Sequence, residues 1–589
     1  RNIMNSSSKQ LLYPALFALG ALTYLFLLWE DLGRFWFHPH WTTDDALQQV
    51  FPFYEVIYPG RFKGDPIYEL MLGYLAPLHY WVGAALTWVH QDPIMAAHWV
   101  TLIQLALAMT FLFLAVRAAS GSSAPAFFAL VWFLHTRPVI QRMTGGLPRG
   151  WSVPVLCAFV YFFVKNNLLG IHATFLAGCL THPPATLVAI ITYGLYLSVR
   201  WLTDRGDYRL RKSLLLLILL GPIYCIITWS VIARPAEVGQ MVSYAEALNM
   251  PEFSRPSGRF PFVPLEDIGT EFRFFGYQPF FHGLYNPGPL VKRSLPYLIW
   301  GALALLVFAG LRSRSAKDTG IKVLVFLAGI LVVYLAARVF AFKLYVPNRH
   351  LQFPLGVFFI FSFSTLIWLT LSRKTDPDRA IGGARGLVPV LGLLICGAVV
   401  YAGSGSGLYG AANFNYSLDK HGGVFKFLKE HTPEDALIAG HPTHIDAVQL
   451  FAARRAFATT ETAHPFYPGY FAEIKRRLEI SLRAHYSDSL QDLTAALLAE
   501  GVDYFVFSRK RFYPDALSSE KYFPPFDKLI AELTSKPRES YVYFLFSKNG
   551  AHENEPFVVY RDAQSIVIDL KALNLKLLTL NAKDAEYAE

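Results

Sequence analysis

The sequence predicts a polytopic α-helical membrane protein with a soluble α/β domain at its carboxyl-terminal end. Of its 589 residues, 53% are hydrophobic and only 16% are charged, whereas a soluble globular protein usually has about 25% charged residues. Long apolar runs, which lipid-facing helices require, occupy the chain as far as residue 403. From residue 412 onward the composition becomes that of a soluble domain. These observations exclude a disordered chain, a secreted disulfide scaffold and a simple cytosolic enzyme.

The apolar runs predict about eleven transmembrane helices. Several runs are shorter than the ~20 residues of a straight crossing, so we expect tilted, flank-extended or partly re-entrant helices there. The runs lie at 11–29, 94–116, 123–136, 151–164, 168–181, 184–202, 213–232, 294–311, 321–338, 351–371 and 385–403.

One further apolar run, at 74–89, is predicted to lie on the outer face of the membrane instead of crossing it. It contains two Trp, two Tyr and a His, and such aromatic residues favour the membrane–water interface. The basic loops after residues 202, 311 and 371 are expected in the cytoplasm, together with the amino terminus. The number of crossings agrees with these loops only if 74–89 does not cross.

This topology divides the chain into a transmembrane region, 1–411, and an external α/β domain, 412–589. We expect an inner membrane of bacterial type, with the carboxyl-terminal domain in the periplasm. Residues 30–93 form a first external loop and 233–293 a second. In the domain, helical periodicity covers 421–431, 469–486 and 488–500, and strand-like runs cover 436–440, 503–507 and 541–546.

Charge and motifs exclude several classes of function. The net charge of +10 comes from basic residues in short loops between apolar runs, where they set topology, so nucleic-acid binding has no support. Walker A, GxGxxG, CxxC and GxSxG motifs are absent from the sequence. Nucleotide-driven transport and redox chemistry therefore have no support either.

The stretch TTDDALQQVFPFYE, 42–55, opens the first external loop with two adjacent carboxylates, Asp44 and Asp45. Neighbouring like charges and the membrane surface raise the pKa of a carboxyl, which suits a general base toward an acceptor hydroxyl. An alternative interpretation is structural. Thr43 or Asp44 would cap a helix through 45–58, with acidic residues in its first turn.

Two loops offer cations at the external boundary. KLYVPNRHLQFP, 343–354, contains Lys343, Arg349 and His350, and the planar guanidinium of Arg matches phosphate oxygens. Arg142 and Arg149 flank a glycine pair in QRMTGGLPRGW, 141–151. The alternatives are anchors among lipid headgroups for the first loop and a tight turn between membrane helices for the second.

These features together resemble the GT-C superfamily of membrane glycosyltransferases. APLHYWVGAALTWVHQDP, 76–93, looks like the "P-hydrophobic-YW" stretch of the bacterial protein-mannosyltransferase and aminoarabinose-transferase branch. GIHATFLAGCLTHPPATL, 170–187, resembles the "GxxxGxxxLTKxP" region of that branch, with His182 where a Lys is common. The likeness also includes the acidic pair, the interfacial helix and the external domain.

The resemblance implies inverting transfer of a sugar from a polyprenyl-phosphate or -diphosphate carrier to an external lipid, glycan or protein acceptor. Either Asp44 or Asp45 would be the base, and the other would hold the acceptor or a divalent cation, magnesium or manganese. The residues implied in substrate binding are Arg349, His350, Lys343, Arg149 and His182. Two alternatives remain: a non-catalytic membrane scaffold of GT-C descent and a transporter of lipid-linked glycans.

Overall fold

The computed structural model describes residues 36–134, 136–203, 206–234, 238–281, 289–313, 316–372, 414–547 and 555–586. The predicted membrane runs at 11–29 and 385–403 lie outside the described residues. All the predicted site residues lie within them.

The chain is a helical membrane protein with a mixed α/β region at its carboxyl-terminal end. Each of the nine predicted runs that fall in the described part forms a helix, and six of these helices are long and apolar enough to cross a membrane. The shorter three begin at Ser123, Ser152 and Leu168. The nine helices are Pro93–Ser120, Ser123–Leu134, Ser152–Val164, Leu168–Thr181, Pro183–Thr203, Tyr208–Ile232, Pro289–Leu311, Lys317–Val339 and Arg349–Ser372.

The helix Pro93–Ser120 illustrates how local sequence sets the limits of these elements. Asp92 precedes it, and its carboxylate accepts hydrogen bonds from the amides of Ile94 and Met95 at 2.8 and 2.9 Å. Proline at the first helical position needs no amide partner there. The helix stops at Gly121, which adopts a φ of 72°, a left-handed conformation that favours glycine.

The run at 74–89 forms a 14-residue helix, Pro77–His90. Its outer face carries Trp81 and Trp88, which are 72% and 69% exposed. On the inner face, a Cβ at Gly83 would lie 2.4 Å from the ring of Phe53, so the helix packs closely against this earlier part of the chain. The exposed tryptophans are those that the interfacial prediction places among headgroups.

The carboxyl-terminal region contains a five-stranded sheet. Its strands are β3 (Leu437–Gly440), β4 (Arg455–Ala456), β5 (Tyr504–Ser508), β6 (Val558–Arg561) and β7 (Ser565–Asp569), in the order β4-β3-β5-β7-β6. β3 pairs in parallel with β4 and β5, whereas β7 is antiparallel to both β5 and β6. The helices around them are Val424–His431, Pro468–His485, Leu490–Ala499, Pro514–Ser519, Phe526–Leu533, Tyr543–Phe546 and Leu570–Glu586.

The predicted strand at 541–546 is wrong. This segment turns into the short helix Tyr543–Phe546, and the sheet forms from five other strands. The aromatic rings of the segment pack on the sheet's flank instead. The ring of Tyr543 stacks on Phe512 with centroids 4.0 Å apart.

The two loops that are predicted to be external share one hydrophobic core with the carboxyl-terminal region. It includes Phe51 and Ile67 of the first loop, Phe253 of the second, and Phe466 of the sheet region. Two short strands, β1 (Trp41–Thr42) and β2 (Tyr416–Ser417), also join the first loop to this region as an antiparallel pair. The helices of the external and connecting segments are Asp44–Gln49, Pro66–Gly73, Arg137–Met143, Tyr244–Ala247 and Ile268–Phe281.

Candidate active site

The acidic pair begins a short helix, Asp44–Gln49, which we call the acidic helix. The carboxylate of Asp44 accepts a hydrogen bond from the amide of Asp45 at 2.8 Å. Thr43 occupies the capping position in extended conformation, without a side-chain capping bond to any described residue. A helix thus starts where the capping interpretation expected one. The α-helix ends at Gln49, because Pro52 has no amide hydrogen to continue it, and a 3₁₀ helix follows at Phe51–Val56.

The carboxyl-terminal region holds the acidic helix in place. Asn415 accepts a hydrogen bond from the amide of Asp44 at 3.0 Å, next to the β1–β2 pair. His464 contacts the other end of the helix, with its Nε2 2.6 Å from Oε1 of Gln48. Since an amide oxygen only accepts, Nε2 carries the proton and Nδ1 accepts from the hydroxyl of Tyr74 at 3.2 Å.

Asp45 forms an ion pair with Arg149, with 2.7 Å between Oδ2 and Nη2, and both side chains are less than one third exposed. Burial raises the pKa of Asp45, but the contact with Arg149 and the charges of Arg142 and Arg349 hold that pKa below its usual value of 3.8. An ionised carboxylate therefore lies among three guanidinium groups.

The glycine pair at 145–146 is a close-packed turn that brings these arginines to Asp45. Gly145 and Gly146 have φ values of 94° and 66°. A Cβ at Gly145 would lie 2.5 Å from Oγ1 of Thr43, and one at Gly146 would lie 2.4 Å from Cα of Ala97. The loop thus rests directly on the residue that precedes the acidic pair.

Arg349 lies at the mouth of a small crevice that Ser152, His182 and His350 also line. Nδ1 of His182 is 3.0 Å from the hydroxyl of Ser152. Burial lowers the pKa of His182 to about 3, with contributions from His350 and Arg149, so this imidazole is neutral at neutral pH. Nε2 of His350 donates to the carbonyl of Leu344 at 2.8 Å. In this crevice, Arg349 supplies the positive charge and the histidines supply polar contacts.

Lys343 makes a different contact. Its ammonium donates to the carbonyl of Met241, in the second external loop, and its charge acts on Glu246 in the same loop. The structure therefore brings together Asp45 and four of the five predicted binding residues, Arg149, Arg349, His182 and His350, and ties Lys343 to another segment.

Arg142 and Glu461 face the acidic pair although neither was among the predicted site residues. The pKa of Arg142 falls to about 10 through burial and through Arg349 and Arg149, so the guanidinium stays charged. Glu461 lies 3.3 Å from Arg259. Burial raises its pKa, and the charges of Asp45 and Asp44 raise it further. Arg142 was visible in the sequence as the partner of Arg149 in one loop, whereas Glu461 had no local signal.

A divalent cation is predicted at the acidic pair. Among the residues that the structure describes, no three His, Cys, Asp or Glu side chains form a group that could hold a metal ion, and the carboxylate of Asp45 is engaged by Arg149. Because magnesium is often held by only one or two carboxylates together with water and substrate phosphate, the magnesium or manganese ion at Asp44 and Asp45 stays a prediction.

No protein-family model matches the chain, and neither does any curated protein. Several solved structures, however, are similar to the chain. ArnT from Cupriavidus metallidurans bound to undecaprenyl phosphate is similar with a TM-score of 0.49 and 14% identity, over 95% of this chain and 98% of that one. The Archaeoglobus fulgidus oligosaccharyltransferase tethered to an acceptor peptide gives 0.46 and 13%, over 87% and 71%. The same organism's AglB, with an inhibitory peptide and dolichol-phosphate, gives 0.44 and 12%, over 87% and 71%. The chain is structurally similar over most of its length to these GT-C membrane glycosyltransferases.

Proposed function

We propose that the protein is an inverting glycosyltransferase that takes a sugar from a polyprenyl-phosphate or -diphosphate carrier and transfers it to an acceptor on the external side of the membrane. The observation that carries this proposal is the group of three guanidiniums around the acidic pair. Arg142, Arg149 and Arg349 come from two separate loops and converge on Asp45. A structural turn or a headgroup anchor does not require that convergence.

The guanidinium groups would hold the phosphate of the donor. Three positive charges face a pair of carboxylates, and Asp45 engages Arg149 directly. Burial lowers the pKa of Arg142, and the like charge of Arg349 lowers it further. A phosphate between them would relieve this repulsion, and the same cations would stabilise the phosphate as it leaves.

Asp44 is the better candidate for the base. The pKa of Asp45 is held below its usual value, which makes its carboxylate a weak proton acceptor. Asp44 is exposed, and among the described residues it forms no ion pair. Asp45 would instead orient Arg149 toward the donor phosphate.

The proposed reaction is a single displacement. The acceptor hydroxyl oxygen forms a bond to the anomeric carbon as the bond from that carbon to the phosphate oxygen breaks. Asp44 takes the hydroxyl proton, and the carrier leaves as a phosphate held by the arginines. Attack opposite the leaving group inverts the configuration of the anomeric carbon.

Native mass spectrometry of the purified full chain with added polyprenyl phosphate tests the donor site. We expect the wild type to retain the lipid and Arg349→Ala to lose it. Arg483→Ala is the matched control, because the exposed side chain of Arg483 pairs with Glu479 on the outer face of its own helix; this variant should retain the lipid. Equal retention by Arg349→Ala, or no retention by the wild type, would contradict the proposed donor site.

A further inference from the structure

The carboxyl ends of β3, β4 and β5 form one edge of the external sheet. β3 lies between β4 and β5 and is parallel to both. The chain runs from β3 to β4 on one side and returns to β5 on the other, so the connections leave this edge in opposite directions. In parallel sheets, ligands bind in the crevice outside the carboxyl ends where the strand order reverses in this way.

One end of this edge lies against the acidic helix. The loop 459–464 follows β4 and carries His464, which contacts Gln48 at 2.6 Å. The same loop carries Glu461, which pairs with Arg259 at 3.3 Å. The amide of Glu461 also donates to Asp446, in the loop after β3, at 2.9 Å. The loops after β3 and β4 therefore meet beside the proposed active site.

Polar side chains continue along the edge, away from the acidic helix. The hydroxyl of Thr460 contacts Thr443 at 2.9 Å and Tyr522 at 2.7 Å. The ring of Tyr522 lies 6.1 Å from that of His441, the first residue after β3. Nε2 of His441 is 3.9 Å from Glu520, which pairs with Arg511 in the segment after β5. A continuous series of contacts thus runs across the ends of all three strands.

The far end of the edge is a basic pocket. Glu520 balances the charge of Arg511, whereas Lys510 and Lys521 are exposed and make no ion pair with any residue that the structure describes. The pocket is therefore positively charged. Its lining includes Lys510, Arg511, Tyr513, Ser519, Glu520 and Lys521.

Two fully buried imidazoles lie behind this pocket. His441 and His485 are 0% exposed, with ring centroids 5.1 Å apart. Within the described part of the chain, none of their four ring nitrogens has a hydrogen-bond partner. Buried polar groups are normally satisfied, so these unpartnered imidazoles next to Glu520 are an unusual feature that is independent of the surface charge.

We propose that this strand edge binds the acceptor and that Lys510, Arg511 and Lys521 hold an anionic group of it, a phosphate or a carboxylate. The acceptor would extend from this pocket across Thr460 to the hydroxyl that reacts at Asp44. Arginine and lysine suit such oxyanions, Arg as a planar fork and Lys as a point charge. This inference rests on the proposed function, because it identifies the acceptor of that reaction.

Calorimetric titration of the full chain with two probes, inorganic phosphate and galacturonic acid, tests the pocket. We expect at least one probe to bind the wild type, and the double variant Lys510→Ala/Lys521→Ala to raise its dissociation constant at least tenfold. Binding of phosphate but not galacturonic acid would assign a phosphate group, and the converse a carboxylate. Lys528→Ala, at an exposed position of the neighbouring helix Phe526–Leu533, is the matched control and should bind as the wild type does.

The variant Arg349→Ala separates this inference from the proposed donor site. Probe binding that persists in Arg349→Ala supports the pocket, whatever the fate of polyprenyl phosphate in that variant. Two results would overturn the inference: no binding of either probe to the wild type, or binding to Arg349→Ala that adding the double substitution Lys510→Ala/Lys521→Ala leaves unchanged. Loss of polyprenyl phosphate from Arg349→Ala would still support the donor site in either case.

Discussion

Asp45 and Arg149 form an ion pair of 2.7 Å that joins the first external loop to the turn between two membrane helices. The turn itself is fixed by Gly145 against Thr43, so the carboxylate and the guanidinium meet with little freedom. The same contact holds the pKa of Asp45 low and orients one of the three arginines. The geometry of the candidate active site therefore depends on this ion pair.

Removing one partner of the pair should destabilise the protein more than removing both. Arg149→Met leaves the half-buried Asp45 without its ion pair, so we expect a loss of about 1–2 kcal/mol. The double variant Arg149→Met/Asp45→Asn should recover part of the lost stability. Thermal unfolding in detergent measures the stability of both variants. Additive losses would contradict the coupling between Asp45 and Arg149.

The stability that this ion pair contributes should also depend on pH. Because the pKa of Asp45 is lowered in the folded protein, the contribution is present above the unfolded pKa of 3.8 and is lost as the pH falls further.

Asp44 and Asp45 should differ in what their loss affects. Asp44→Asn removes the proposed base and should lower kcat by about 100-fold or more, with the donor still bound. Asp45→Asn frees Arg149 and should chiefly weaken donor binding, which raises KM. Steady-state kinetics with a polyprenyl-linked sugar pool distinguish the two. If Asp45→Asn alone abolished kcat, the assigned roles would be reversed.

The glycine turn provides a test of packing with an internal control. Gly146 and Gly121 both have positive φ, 66° and 72°, so alanine at either should cost about 1 kcal/mol of backbone strain. A Cβ at Gly146 would also collide with Ala97, whereas nothing lies within 4 Å of one at Gly121. Gly146→Ala should therefore lower the Tm clearly more than Gly121→Ala. Equal shifts would show that the turn is not close-packed.

Asp65 should make the protein less stable as the pH rises. This carboxyl is buried, and burial raises its pKa from 3.8 to about 6, despite the hydrogen bond from Ile67. The unfolded chain therefore ionises first, and stability is lost as the pH rises from about 4 to about 6. The pKa difference corresponds to at most about 3 kcal/mol.

Asp65→Asn removes that titration while keeping a side chain that can cap the helix Pro66–Gly73. Its amide could donate to Oε1 of Gln449, a buried atom without a hydrogen bond in the described part of the chain. Thermal unfolding should show Asp65→Asn more stable than the wild type near pH 7, and the gain should vanish near pH 4. A gain that is independent of pH would contradict the raised pKa.

Periodicity and composition predicted the helices that are apolar or aromatic along their whole length. The apolar runs became helices, and the aromatic run at 74–89 became the helix Pro77–His90 with Trp81 and Trp88 exposed. The segment 541–546 has the composition of a strand, but it forms a short helix whose Tyr543 ring packs on Phe507 and Phe512. That outcome depends on tertiary packing, which a local pattern does not contain.

A local sequence pattern also predicts only part of the candidate active site. Asp45 and Arg149 were predicted from adjacent polar residues in external loops, because charge at a membrane boundary is a local signal. Glu461 and His464 were not, since they reach the acidic helix only through the fold. His464 and Gln48 are 416 positions apart in the chain. No spacing rule connects such residues.

In the proposed function, the protein consumes a polyprenyl-linked sugar at Asp44. The most direct measurement follows that lipid by mass spectrometry, in membranes of the source organism supplied with purified protein. Wild-type protein should convert polyprenyl-linked sugar to free polyprenyl phosphate or diphosphate, and Asp44→Asn should bind the donor without converting it. Equal conversion by wild type and Asp44→Asn, or none by either, would contradict the proposed function.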